Sequence, residues 1–102
     1  MNYQEMSDEE INELVARFIW PKYAAIDDCV VHIVNGGWTK FDPCNSWADA
    51  GPIAEENEIG VVKVLNGWCA TNDHAKHEGV FFVDPNPRRA ICIVFLMMKG
   101  GE

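Results

Sequence analysis

Asn86-Pro87-Arg88-Arg89-Ala90-Ile91-Cys92-Ile93-Val94-Phe95-Leu96-Met97-Met98 contains the most apolar run of the chain, and whether that run is a strand or a helix decides the fold. Composition leaves both open, because a buried strand and a buried helix draw on the same aliphatic residues. The flanks settle it. Asn86 is a good helix cap, Pro87 suits a first helical turn, Ile91, Val94, Phe95 and Met98 recur at helical spacing, and Gly100 can close the last turn. The stretch predicts a buried C-terminal helix. Its strictly apolar part, residues 90–98, is far shorter than the roughly 20 residues that a membrane-spanning helix needs.

Upstream, strand and turn chemistry dominates. Residues 80–83 read as a short strand, residues 72–79 as a polar loop, and Asp84-Pro85-Asn86-Pro87 as a stiff connection into the helix. Val30-Val31-His32-Ile33-Val34-Asn35-Gly36-Gly37-Trp38 and Val61-Val62-Lys63-Val64-Leu65-Asn66-Gly67-Trp68 share one form, a β-branched run followed by Asn-Gly and tryptophan. That is the chemistry of a strand entering a tight hairpin turn. The expected hairpins pair residues 29–34 with 38–41 and 60–65 with 68–71. Hairpin demands alone produce so short a match, so it is not read as a repeat.

Two further helical segments complete the outline. Ser7 with Glu10 has the form of a capping box, and Ile11, Leu14, Val15 and Phe18 mark one buried face. Trp20-Pro21 ends that helix. In the middle, Asn45 or Ser46 caps a short helical turn over residues 47–50, and Gly51-Pro52 interrupts before a second helix over residues 52–57. The order of elements predicts an α+β fold: a single small domain over residues 1–102, with helices packed on a small, mainly antiparallel sheet.

Composition bounds the function. The chain has 102 residues, 48% of them hydrophobic, with 16 Asp and Glu against 8 Lys and Arg and a formal charge of −8. This supports one core and not two. The excess of acid argues against direct binding to a nucleic-acid backbone or an anionic membrane surface, both of which need clustered Lys and Arg. Residues 1–13 lack a signal-peptide core, so Cys29, Cys44, Cys69 and Cys92 are expected to be reduced thiols in a cytoplasmic protein. Cys29 and Cys92 fall inside apolar runs and are expected in the core, whereas Cys44 and Cys69 adjoin turns and are expected to be more exposed.

Phe41-Asp42-Pro43-Cys44-Asn45, then Trp47-Ala48-Asp49-Ala50-Gly51-Pro52-Ile53 with Glu55, and the closing Asn86-Pro87-Arg88-Arg89-Ala90 with Ile93-Val94-Phe95-Leu96-Met97-Met98 resemble the NinX-like family of small phage and prophage proteins. The resemblance covers the middle and the C-terminal third well, the N-terminal helix loosely and the two hairpins hardly at all. At Trp47 and Gly51 the chain departs from one branch of that family and agrees with another. The resemblance implies a gene in the accessory region of a tailed phage or prophage and a product working in the bacterial host cytoplasm. It brings no established activity with it.

Several constellations are candidate sites. Asp42, Asn45, Trp47 and Asp49 crowd polar groups and an aromatic around tight turns, as a ligand loop would, although capping of backbone groups accounts for the same residue types. Arg88 and Arg89 stand at a helix start, where cations oppose the helix dipole. A bound anion would compensate, and so would the protein's own carboxylates, which the acid excess favours. Arg89 is the arginine that matches the family pattern. Trp38 and Trp68 each follow an Asn-Gly turn and could form an interaction patch on a sheet surface. His32 is expected to find a partner or face outward. His74 and His77 lie three apart, but Asp73-His74-Ala75-Lys76-His77-Glu78 lacks the His-Glu-x-x-His arrangement, and a solvated loop is expected.

No nucleophile elbow, phosphate loop or converging pair of acids can be picked out. The expectation is therefore a noncatalytic protein with no metal and no cofactor that binds a host or phage protein. The alternative is a small-ligand protein, a nucleotide-sequestering counter-defence factor or a minor enzyme, using Asp42, Asn45, Trp47, Asp49 and Arg89.

Overall fold

The computed structural model describes residues 2–20, 22–26, 29–34, 36–72 and 80–100. The capping box forms as its sequence requires. Ser7 Oγ accepts from the Glu10 N–H at 3.1 Å, and Glu10 Oε1 accepts from the Ser7 N–H at 2.8 Å. Helix α1 then runs Asp8–Ile19, preceded by a 3-10 turn at Tyr3–Glu5. Ile11, Val15 and Ala16 are buried, while Phe18, predicted for the same face, lies at its margin, 52% exposed and edge-on to Phe95.

Among the described residues six strands follow, in two sheets where the sequence predicted one. The first is β1 (Tyr23–Ile26), β2 (Cys29–Val34) and β3 (Gly37–Lys40), antiparallel in that order. Strand β1 was not expected, since Tyr23-Ala24-Ala25-Ile26 is short and its two strand formers, Tyr23 and Ile26, flank two alanines. Pairing supplies what propensity lacks, with Tyr23 opposite His32 and Ala25 opposite Val30. Register places Val34 opposite Gly37, one residue earlier than the predicted hairpin. The second sheet is β4 (Gly60–Val64), β5 (Gly67–Asn72) and β6 (Val80–Asp84), also antiparallel in chain order.

Helix α2 spans Trp47–Asn57 without a break, although Gly51-Pro52 predicted one. Pro52 has no N–H and so withholds a single hydrogen bond, from the Ala48 carbonyl. The first turn is held by Ser46, whose carbonyl accepts from Asp49 and Ala50, and the ladder continues past the gap. At the far end Glu58 adopts a left-handed conformation, and Asn72 Nδ2 donates to the Asn57 carbonyl at 2.7 Å, tying β5 to the end of α2.

The predicted C-terminal helix is α3, Pro87–Gly100, capped by Asn86, whose Oδ1 accepts from the Arg88 N–H at 2.9 Å. It packs against α1, α2, β5 and β6, which is why its apolar residues run without interruption: residues 90–96 are buried on every side. The first sheet leans on α1 and the second on α3. Cys92 is buried as expected, but Cys29 is only half-buried, and Cys44, expected to be exposed beside its turn, is fully buried. No helix among the described residues is long and apolar enough to cross a membrane.

Candidate functional site

The family-pattern residues meet at one place, where the loop before α2, the start of α1 and the start of α3 converge. Its centre is Asn12, a buried polar side chain that the sequence reading passed over. Asn12 Nδ2 donates to Asp42 Oδ1 at 2.7 Å, and Asn12 Oδ1 accepts from the Cys44 N–H at 3.1 Å. Asp42 also accepts from Asn45 Nδ2 at 3.2 Å, and its own N–H donates to Asp49 Oδ2 at 2.9 Å. Asn45 Nδ2 further reaches Asp8 Oδ2 at 3.1 Å, and Asn86 Nδ2 donates to the Cys44 carbonyl at 2.6 Å.

Arg89 closes the network. Its guanidinium, 11% exposed, pairs with Asp8 at 2.7 Å and Asp84 at 3.2 Å and donates to the carbonyls of Tyr3 and Met6 at 2.9 and 2.8 Å. The anions that offset its charge at the helix start are thus the protein's own. Arg88 diverges from it and lies 5.2 Å over the ring of Trp47, which is about half exposed. Of the candidate ligand residues, the structure therefore joins Asp42, Asn45, Asp49 and Arg89 through shared partners and sets Trp47 beside them, against Arg88. Burial pushes the Cys92 thiol well above the ordinary thiol range, and a hydrogen bond with Cys44 adds to the shift.

The two candidate patch tryptophans stand on different sheets. Trp38 pairs across the strands with Ile33, on the face of the first sheet opposite to Val30 and His32, and is 71% exposed. Trp68 is half-buried on the helix side of the second sheet, opposite Asp84, with Lys63 Nζ 5.9 Å from its ring. The outer face of that sheet carries Val62, Cys69, Val83, Thr71 and Phe81, without a charged side chain.

A separate feature lies between the end of α1, β2 and α2. Trp20 stacks on His32 with ring centroids 3.9 Å apart and planes within 6°, and Phe41 stands edge-on to both. These rings, with Asp49, Pro52 and Glu56 of α2, line an open cavity of about 310 Å³. Sequence reasoning missed it because Trp20, His32 and Phe41 come together only through the sheet. Among the described residues no group of three or more His, Cys, Asp or Glu side chains is placed to hold a metal. His74 and His77, and the loop that carries them, lie outside the described residues.

No curated protein matches the chain. A family model does, the one described as Bacteriophage P22, NinX, over residues 2–99, and the polar network just described ties Asp42, Asn45, Asp49, Asn86 and Arg89, which carry the earlier resemblance, to Asn12, Asp8 and Asp84, which do not; the chain belongs to the NinX family of phage proteins.

Proposed function

We propose that this NinX-family chain is a noncatalytic phage accessory protein that works in the host cytoplasm by binding a host or phage protein. The observation that carries this reading is the Ile33–Trp38 pair, two large apolar side chains directed outward from the first sheet, with Trp38 largely in solvent. Exposed aromatics of this kind are what protein interfaces use as anchors. The alternative, a nucleotide-like ligand or a minor reaction at Asp42, Asn45, Trp47, Asp49 and Arg89, has weaker support, because Asp42, Asn45, Asp49 and Arg89 bond to one another, to neighbouring residues and to backbone groups.

A tagged pull-down from infected host cells tests the choice. A stoichiometric partner retained by Trp47→Ala and lost by Trp38→Ser, with both variants folded, is the expected result. A small compound absorbing at 260 nm, released when the purified protein is denatured, together with no stoichiometric partner, would favour the alternative.

A further inference from the structure

The cavity bounded by Trp20, His32 and Phe41 on one side and by α2 on the other is unrelated to the internal polar network except through Asp49. Its volume, about 310 Å³, is at the small end of the range for ligand pockets. The lining is chemically lopsided. Among the described residues it holds two carboxylates, Asp49 and Glu56, one imidazole, and no Lys or Arg. Asp49, Pro52, Ile53 and Glu56 follow helical spacing, so both acids face the same space from one side of α2. No described cation pairs with either acid. Asp49 Oδ2 accepts a backbone N–H from Asp42, and the carboxylate stands in the first turn of α2, where the helix dipole offsets part of its charge.

The aromatic wall is unusual in the same way. Elsewhere Trp47, Trp68 and Phe95 each carry an intramolecular cation over the ring, from Arg88, Lys63 and Lys99. Trp20 and Phe41 carry none among the described residues, although they flank two acids. Beside this wall the indole N–H of Trp20 and Nδ1 of His32 are buried without a hydrogen-bond partner, and of the two only an unprotonated imidazole nitrogen can accept from a bound cation. Such atoms are rare in folded proteins.

We infer that this cavity is a receptor for an organic cation, the guanidinium or ammonium end of a basic side chain or of a small free amine. Aromatic faces attract a cation through their quadrupole, and the two carboxylates supply the charge that a guanidinium or ammonium group needs once it leaves water. The inference deepens the proposed function, on which it rests for its physiological source: a binding partner that presents an exposed Arg or Lys.

The test is a titration of the isotopically labelled full chain, read by NMR at the Trp20 indole and the His32 ring. The probes are blocked arginine, spermidine and blocked citrulline, the last being the uncharged counterpart of arginine. Saturable shifts are expected with blocked arginine and none with blocked citrulline. Glu56→Gln, at an exposed position, should weaken binding about two- to fivefold, and Glu56→Lys should abolish it by placing an internal ammonium in the cavity. Equal shifts with citrulline, or unchanged affinity in both Glu56 variants, would overturn the site. Tighter binding of spermidine than of blocked arginine would support the cation site while assigning it to a free amine. In the pull-down, a partner that is retained by Glu56→Lys but lost by Trp38→Ser leaves the protein-binding reading standing and removes the cavity from it.

Discussion

Asn12 is the single side chain on which the most of the interior depends. It sits within α1, where asparagine is an ordinary surface residue, yet both ends of its amide are used by the loop before α2. Replacing it with alanine leaves the buried Cys44 N–H and the Asp42 carboxylate each short of a partner. Asn12→Ala should lower the unfolding free energy by about 2–3 kcal/mol, measured by urea denaturation with an unchanged m-value. Arg89 makes the complementary case, since it uses both sides of a planar fork. Arg89→Lys keeps the charge but cannot reach two carboxylates and two carbonyls at once, and should cost about 2–4 kcal/mol. The thiols divide by burial. Cys29 and Cys69 should react with a thiol reagent in the native protein, and Cys44 and Cys92 only on unfolding. Because the Cys92 thiol is raised in the folded chain, the unfolded chain releases its proton first as the pH rises. Stability from this group is intact below the ordinary thiol value of about 8.5 and falls above it, and Cys92→Ala should show a shallower alkaline decline in chemical denaturation.

At the scale of elements, local signals were legible and tertiary ones were not. Ser7 with Glu10, Asn86 with Pro87, and the two Asn-Gly turns each state a boundary within a few residues, and each boundary formed close to its expected place. Strand β1 and the unbroken α2 were not legible, because the first depends on β2 as a template and the second on packing strong enough to absorb one missing hydrogen bond at Pro52. The two hairpins also differ in a way that their shared sequence hides. Gly36 has a positive φ of 82° with open space where a Cβ would stand, whereas at Gly67 a Cβ would lie 2.7 Å from the Asp84 carbonyl oxygen. Gly36→Ala should therefore cost about 1 kcal/mol, for backbone strain alone. Gly67→Ala must also push β6 away from the turn and should cost about 3 kcal/mol, a difference that thermal denaturation of the two variants would show directly.

For the whole molecule, the candidate site was legible as a list of residues but not as an arrangement. Asp42, Asn45, Asp49 and Arg89 could be named from their pattern, while Asn12 and the Trp20–His32 stack depend on contacts between segments distant in sequence. The arrangement also changes what the net charge means. Arg89 draws Asp84 into an enclosed pair and Asp8 into a partly enclosed one, and the remaining acid excess is spread over surfaces such as the side of α1 beside β1 and β2 and the cavity face of α2. Salt acts on these two populations differently. Enclosed pairs are screened little, whereas repulsion among dispersed surface charges is screened strongly as the Debye length falls from about 8 Å to about 3 Å between physiological and molar salt. Raising sodium chloride over that range should therefore raise the Tm by a few degrees rather than lower it. The double variant Glu13→Gln, Glu56→Gln removes two surface charges without touching the network, so it should begin at a higher Tm and gain less from salt. A Tm that falls with salt in the wild-type chain would mean that favourable surface pairs outweigh the self-repulsion expected from a charge of −8.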